Sequence, residues 1–358
     1  MHERFKLFLL LLLLPLLLGG CKKAEQTSPD PEQLATPAAS QAVPATLPST
    51  PSGPALKIAY SDWPGWVAWE IGIQKGWFKE EGVEVDFTWF EYVPSMEAYS
   101  AGKVDACTMT NGDQLVTGSS GTPSVAILLN DYSNGNDMVI GKPGIDKVEQ
   151  LKGKTVGVEV GFVSHLLLMN ALQKSGMTDK DIKIKNVPTD QTPQTLKSGE
   201  VDAVVAWQPN SGQALKELPG SKPIFTSKDV PGVIYDVLAV NPKSLKERRA
   251  DWVKVVKVWG RIADYLKDPK NLDDAAKIMS ARVGLTPEEY KPLMGGTYFL
   301  TLAEGLKHYQ KGDDLSSVHF SNKTVDEFQV KNAVYKTAMP YERYLDASLV
   351  DEVLKAKK

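Results

Sequence analysis

The sequence predicts an α/β protein of two lobes, each a mostly parallel sheet with flanking helices, completed by a set of C-terminal helices. Two observations carry this. From Leu56 onward, apolar segments of strand length alternate with amphipathic segments of helix length, the pattern of a sheet covered on both faces. One phrase also occurs twice: Gly102-Lys103-Val104-Asp105-Ala106 returns 97 positions later as Gly199-Glu200-Val201-Asp202-Ala203, and the same offset lays Asp62 on Glu159. Two α/β lobes in one chain leave a cleft between them, and clefts hold ligands.

Residues 1–20 read as a leader rather than as part of the fold. Arg4 and Lys6 precede an apolar run from Leu7 to Leu18, broken only by Pro15 and too short to span a bilayer core of ~30 Å. The run ends in Leu18-Gly19-Gly20-Cys21, which resembles a bacterial lipobox. That resemblance implies cleavage before Cys21 and lipid on its thiol and new amino group. Residues 21–54 follow as a tether rich in Pro, Ser, Thr, Ala and Gln. With so little apolar surface to offset ordering entropy, the tether is expected to be disordered, and its prolines keep it extended.

The first lobe is expected to span 56–142, joined later by 241–358. Its strands are Leu56–Tyr60, Val83–Phe87, Val104–Met109 and Val125–Leu129; its helices are Trp66–Lys75, Ser95–Ala101 and Asp113–Gly118. The second lobe, 143–240, has strands Thr155–Val158, Ile182–Val187, Val201–Trp207, one near Ile224, and Val233–Val240. Its helices are Ser164–Lys174, Thr192–Ser198 and Pro209–Leu218. Gly141-Lys142-Pro143-Gly144 and Asn241-Pro242 are turn signals at the expected crossings between lobes. Beyond them come helices over Ala250–Leu266, Leu272–Arg282, Pro287–Met294, Glu327–Thr337 and Leu349–Lys355, with a mixed segment at Tyr298–Asp314.

Composition excludes several functions. The formal net charge is −3, with no basic excess and hence no nucleic-acid footprint. Of two cysteines, Cys21 is the expected lipid site, and Cys107 lies in an apolar strand as a packing residue. Four scattered histidines and one free cysteine form no metal-ligand cluster, so neither metal nor cofactor is expected.

Ligands of open α/β sheets sit at the carboxyl ends of the strands. The candidate binding residues are therefore Asp62, Trp63, Trp66, Asn111, Asp113, Asp131 and Tyr132 from the first lobe. From the second come Glu159, Ser164, His165, Trp207 and Asp236. Asp62 and Asp113 suit either ligand contact or helix N-capping. Glu159 is a weak cap type, which favours a ligand or an inter-residue role. Trp66 also fits the core stripe of its helix. His165 could bond a carboxylate, a carbonyl or the ligand, and Asp236 could pair across the hinge. Asp105 and Asp202 lie at strand entries, opposite the ligand end, and read as structural. The strand-end loops contain no Lys or Arg. Helix starts ordinarily welcome anions, yet here carboxylates already occupy three of them. A small cation or a multi-donor amide suits such a site, through charge-assisted hydrogen bonds and the faces of Trp63, Trp66, Trp207 and Tyr132.

The lipobox, the tether, Tyr60-Ser61-Asp62-Trp63-Pro64-Gly65-Trp66 and Gln74-Lys75-Gly76-Trp77-Phe78-Lys79-Glu80-Glu81-Gly82-Val83 resemble solute-binding lipoproteins of bacterial ABC importers. The narrower likeness is to the nitrate/sulfonate/taurine-like group, which shares its fold with thiamine-pyrimidine synthases. Leu151-Lys152-Gly153-Lys154-Thr155-Val156 and the repeated Gly-x-Val-Asp-Ala phrase are similar to that group as well, and the likeness runs from about Leu56 to Tyr344. It implies a type II periplasmic binding fold that closes over a small solute and presents it to permease and ATPase subunits. The expected setting is a lipid-anchored monomer on the extracytoplasmic side of a membrane. Asp62, Asp113 and Glu159 depart from the group's anion sites. Glu159, Gly161 and His165 resemble a subgroup found near guanidine- or urea-metabolism genes, so guanidinium-like ligands come first and a small oxyanion such as taurine, sulfonate or nitrate second. The synthases need a lysine-bound cofactor, a cysteine-rich iron motif and histidines. Here no cysteine cluster exists and the candidate loops lack Lys, which points away from an enzyme.

Overall fold

A computed structural model describes residues 53–356. The expected leader, the lipid site Cys21 and nearly all of the tether lie outside the described residues. Within them, eleven strands form two sheets. They are β1 Leu56–Tyr60, β2 Val85–Trp89, β3 Ala106–Thr110, β4 Val125–Ser133, β5 Met138–Gly141, β6 Thr155–Val158, β7 Lys183–Asn186, β8 Ala203–Ala206, β9 Lys222–Thr226, β10 Tyr235–Val240 and β11 Thr297–Phe299. The first sheet has the order β11-β4-β10-β3-β1-β2, the second β7-β6-β8-β5-β9.

The two-lobed α/β architecture is the one expected, but the pairing is mixed. β1 pairs parallel with β2 and β3, and β6 with β7 and β8. β10 is antiparallel to β3 and β4, and β5 to β8 and β9. β5 and β10 are the strands with which the chain enters the other sheet. Each arrives from the far side and so runs against its neighbours.

That placement corrects the expected crossings. The chain changes sheets within 134–137 and again within 227–234, so β5 belongs to the second lobe's sheet and β10 to the first. The Gly141–Gly144 turn merely ends β5. Asn241 caps helix Pro242–Glu247, accepting the amides of Lys243 and Ser244. Turn signals mark the ends of elements, whichever sheet those elements join. The two crossings are laced together: Ser133 and Ser227 hydroxyls meet at 2.7 Å, and the Ser227 hydroxyl accepts the Gly135 amide at 2.7 Å.

The repeated phrase has one structural job in both lobes. Asp105 donates its amide to the Lys57 carbonyl at 2.8 Å and accepts the Lys57 amide on its carboxylate at 2.9 Å. Asp202 does the same with Thr155, at 2.8 and 2.9 Å. Each aspartate thus stitches a strand entry to the neighbouring parallel strand.

The helix expected over Trp66–Lys75 is two pieces, Pro64–Val67 and Trp69–Gln74. Trp69 is fully buried against Trp259, with ring centroids 4.9 Å apart, where the long amphipathic helix Arg249–Lys267 covers the first sheet. The helix expected over Glu327–Thr337 lies earlier, at Val318–Lys331, and ends before Ala333, whose φ of 56° is left-handed. Cys107 is buried, within 3.3 Å of the Ser95 hydroxyl. Among the described residues no helix is long and apolar enough to cross a membrane.

Candidate ligand-binding cleft

The carboxyl ends of β1 and β3 face those of β6 and β8 across the crossing segments. Two neighbouring spaces lie there. The inner one is small, with a free volume of about 10 Å³, the room of a single water. Trp63, Trp66, Tyr92 and Trp207 wall it, and Asp137 and Asp236 put carboxyl groups on it. The outer one opens to about 400 Å³ and carries Asp62, Glu91, Glu97, Glu159 and Asp190. Tyr92 and Trp207 border both spaces, their rings edge-to-face at 5.1 Å. No Lys, Arg or His lines either space.

The lobes are joined across the cleft by two carboxylates. Asp62, in the turn after β1, accepts the Trp207 indole N–H at 3.2 Å and the Asn210 amide at 2.7 Å, both from the second lobe. It does not cap helix Pro64–Val67, whose N-cap position is Trp63. Asp113 likewise is not the cap of its own helix, Asn111–Ser119; Thr110 is. Its Oδ2 instead accepts the Tyr92 hydroxyl at 2.6 Å and the amide of Val163 at 3.2 Å. Val163 opens the second lobe's helix Val163–Lys174, which has no side-chain cap of its own. Asp113 therefore caps a helix of the opposite lobe.

Behind the inner space lies a pair of acids. Asp131 on β4 and Asp236 on β10 face each other in register, 0 % and 1 % exposed. Trp63 donates its indole N–H to Asp131 Oδ1 at 2.9 Å. Oδ2 of Asp131, Oδ2 of Asp236 and Oδ1 of Asp113 have no donor from the protein. Asp131 Oδ2 sits where Gly65 lacks a side chain: a Cβ there would come within 1.7 Å of it.

Burial opposes ionisation of all these acids. It pushes Asp113 up to about 6, and Asp137 and Glu159 up to about 7. Hydrogen bonds from Tyr92, Ser133 and Thr189 offset it in part. Burial raises Asp62 too, against the pull of Trp207 and Asn210. In the Asp131–Asp236 pair burial raises both, and the Asp131 charge lifts Asp236 further.

Several expected contacts lie elsewhere. Asn111 is consumed by structure: its carbonyl accepts the Tyr235 amide at 3.0 Å, and its NH₂ donates to Ser321 and Asn322. Tyr132 stacks on Tyr298 at 4.8 Å, outside both spaces. His165 accepts the Gly161 amide at 3.4 Å and, like Ser164, is absent from the lining. Asp131 lies behind the lining, against Trp63 and Asp236. The lining residues that sequence reasoning missed include Tyr92, Asp137, Ile234, Glu91, Glu97 and Asp190. Asp137 and Ile234 lie on the crossings, so the misplaced crossings hid them.

Two α/β lobes joined by paired crossings, with an acid-lined cleft between them, define a two-lobed binding-protein fold. The chain belongs to the NMT1-like family, which it matches over residues 49–280. The same fold is seen in the periplasmic aliphatic sulphonate binding protein of Escherichia coli, at TM-score 0.68 and 17 % identity over 84 % of this chain and 100 % of that one. It recurs in the periplasmic nitrate-binding protein of Synechocystis PCC 6803, at TM-score 0.69 and 12 % identity over 86 % and 90 %. By sequence the chain is 27 % identical over 202 residues to a protein of Brucella abortus named as a binding protein, covering 53 % of this chain but only 62 % of that relative. It is 24 % identical over 237 residues to the taurine-binding periplasmic protein of E. coli, 62 % of this chain and 71 % of that one.

Proposed function

We propose that this protein is the extracytoplasmic solute-binding component of an ABC importer, and that its solute is a small cationic nitrogen compound with a guanidinium-like head. One observation supports the choice of charge: seven carboxyl-bearing residues line the two neighbouring spaces, and no basic side chain does. A cation against the free face of Trp207 or Tyr92 would gain ~0.5–2 kcal/mol from that ring. Its N–H groups would meet Asp137 and Asp236 below and Glu159 above. With the lobes latched the inner space fits a single N–H group rather than a whole planar ion, so entry requires the lobes to part. The same proposal includes lipid anchoring at Cys21, delivery as a monomer to permease and ATPase subunits, and binding rather than catalysis.

A small oxyanion is the second reading, favoured by the names of the taurine-, sulphonate- and nitrate-binding relatives. Against it, the helix start that could hold an anion, at Val163, is already occupied by Asp113. Thermal shift separates the two, because a ligand at 100 times its Kd adds ~2.7 kcal/mol to stability. The panel is guanidinium, methylguanidinium, agmatine, choline, urea, taurine and nitrate, each at low millimolar concentration. A rise with the cations supports the first reading; a rise confined to taurine or nitrate overturns it.

A further inference from the structure

We infer that the Asp131–Asp236 pair is the charge discriminator of the cleft: a cation enters in exchange for a proton held by the pair, whereas a neutral isostere leaves that proton in place. The inference rests on the cation reading above.

The geometry supplies the device. Asp236 presents its carboxyl to the inner space, and Asp131 stands directly behind it on the adjacent strand. Both are essentially excluded from water, and each keeps an oxygen with no donor. Two touching buried carboxyls cannot both ionise at modest cost, so one proton between them is the stable state of the empty cleft. The groups around the pair do nothing to neutralise it. From the turn after β1 comes the Trp63 indole, spent on Asp131 Oδ1, and from helix Pro64–Val67 the side-chain-free Gly65. Opposite Asp236 on β3 is Thr110, with Asp113 beyond it; the first crossing adds Asp137, and helix Pro287–Met294 adds the Tyr290 hydroxyl. Every ionised neighbour is an acid.

A cation against Asp236 changes this balance. It supplies the positive charge that the pair lacks, and the shared proton leaves to solvent as the ion pair forms. Charge in the cleft is conserved, with one cation in and one proton out. Urea has the shape and N–H groups of guanidinium but no charge, so it gives the pair no reason to ionise. Asp131 is then a positioning residue: it does not reach the solute but sets the charge that Asp236 demands.

The test uses guanidinium chloride and urea as probes on the full-length protein. Calorimetric titration at pH 6, 7 and 8, in buffers of different ionisation enthalpy, counts the protons released. The expected result for guanidinium is release of about one proton near neutral pH and an affinity about tenfold higher at pH 8 than at pH 6. Urea affinity is expected to be flat. In Asp131→Asn the amide can still accept from Trp63 and donate to Asp236, so the expectation is retained guanidinium binding with clearly reduced proton release. Guanidinium binding without proton release, or equal release from wild type and Asp131→Asn, overturns the inference alone. Failure of guanidinium and every other cation to bind overturns the reading of the cleft and this inference with it. Should Asp131→Asn not fold, the wild-type pH profiles of the two probes decide the matter unaided.

Discussion

The Asp62 carboxylate and the Trp207 indole meet across the cleft at 3.2 Å, one from each lobe, and Asn210 completes the grip at 2.7 Å. Both oxygens of Asp62 are thereby committed to the opposite lobe. It ties the two lobes together and fixes Trp207 as one wall of the inner space. Hydrogen bonds to a charged group are worth about 1.5–3 kcal/mol, so Asp62→Ala is expected to speed release of a bound cation by about tenfold or more while slowing its capture little. Stopped-flow recording of tryptophan fluorescence measures both rates. An unchanged release rate would remove Asp62 from the closure mechanism.

Acid should stabilise the empty protein. Asp113, Asp137 and Glu159 hold protons in the fold up to about 6, 7 and 7. In the unfolded chain such groups ionise near 4. Between about pH 4 and 7 the folded state binds more protons, so stability falls as pH rises through that window. Surface acids such as Glu289, held down to about 2 by Lys216, run the other way but are exposed and screened. The Tm without ligand is expected to be higher at pH 5 than at pH 8. A saturating cation should shrink or reverse the difference. A Tm that climbs from pH 5 to pH 8 in the empty protein would contradict the burial of these acids.

Asp137 should matter to the solute and not to the scaffold. It lies on the first crossing, lines the inner space and accepts the Ser133 hydroxyl at 2.5 Å, a bond that an amide oxygen also accepts. Asp137→Asn removes a buried acid, so the Tm at pH 8 is expected to hold or rise. Cation affinity is expected to fall by about tenfold or more, the cost of a lost charge-assisted bond. Titration calorimetry paired with thermal melts checks both halves.

Gly65 exists for close approach. A methyl group there would overlap Asp131 Oδ2 at 1.7 Å and press on the Trp63 indole at 2.8 Å. Gly65→Ala is expected to cost about 1–3 kcal/mol of stability by overpacking and to weaken solute binding by shifting Asp131 and Trp63 together. Chemical denaturation and thermal shift with guanidinium report the two effects. A variant as stable and as tight as wild type would mean that the turn relaxes freely.

Asp105→Ala and Asp202→Ala should behave alike. Each removes a carboxylate that accepts a strand amide at 2.9 Å, in a half-buried position at the far end of its sheet from the cleft. The expected loss is about 1 kcal/mol in either lobe, with solute affinity unchanged. Urea unfolding and calorimetry would show it, and a binding defect in either variant would assign the repeated phrase a second role.

Much of the lobes was legible in advance because strand and helix periods are local. β1, β6 and the helix Val163–Lys174 fall within a residue or so of where the pattern puts them. The acid character of the cleft was legible too: Asp62, Glu159, Trp207 and Asp236 all reach it, since the ends of the strands on either side of a cleft are brought together by the fold itself. Asn111 and Tyr132 looked equally suitable. Nothing in their neighbours along the chain says that Asn111 is taken by Tyr235, Ser321 and Asn322, residues more than a hundred positions away.

The sequence by itself determined the alternation of strands and helices, the duplicated strand entry, and the supply of carboxyl and aromatic groups without basic partners. Those properties depend on residue type and short-range spacing. Only the tertiary structure decided which strands exchange sheets, because β5 and β10 read alike in either lobe and their sheet is chosen by what lies beside them. That exchange puts Asp236 beside Asp131 and carries Asp137 to the floor of the cleft. It thereby turns acids scattered along the chain into one buried set.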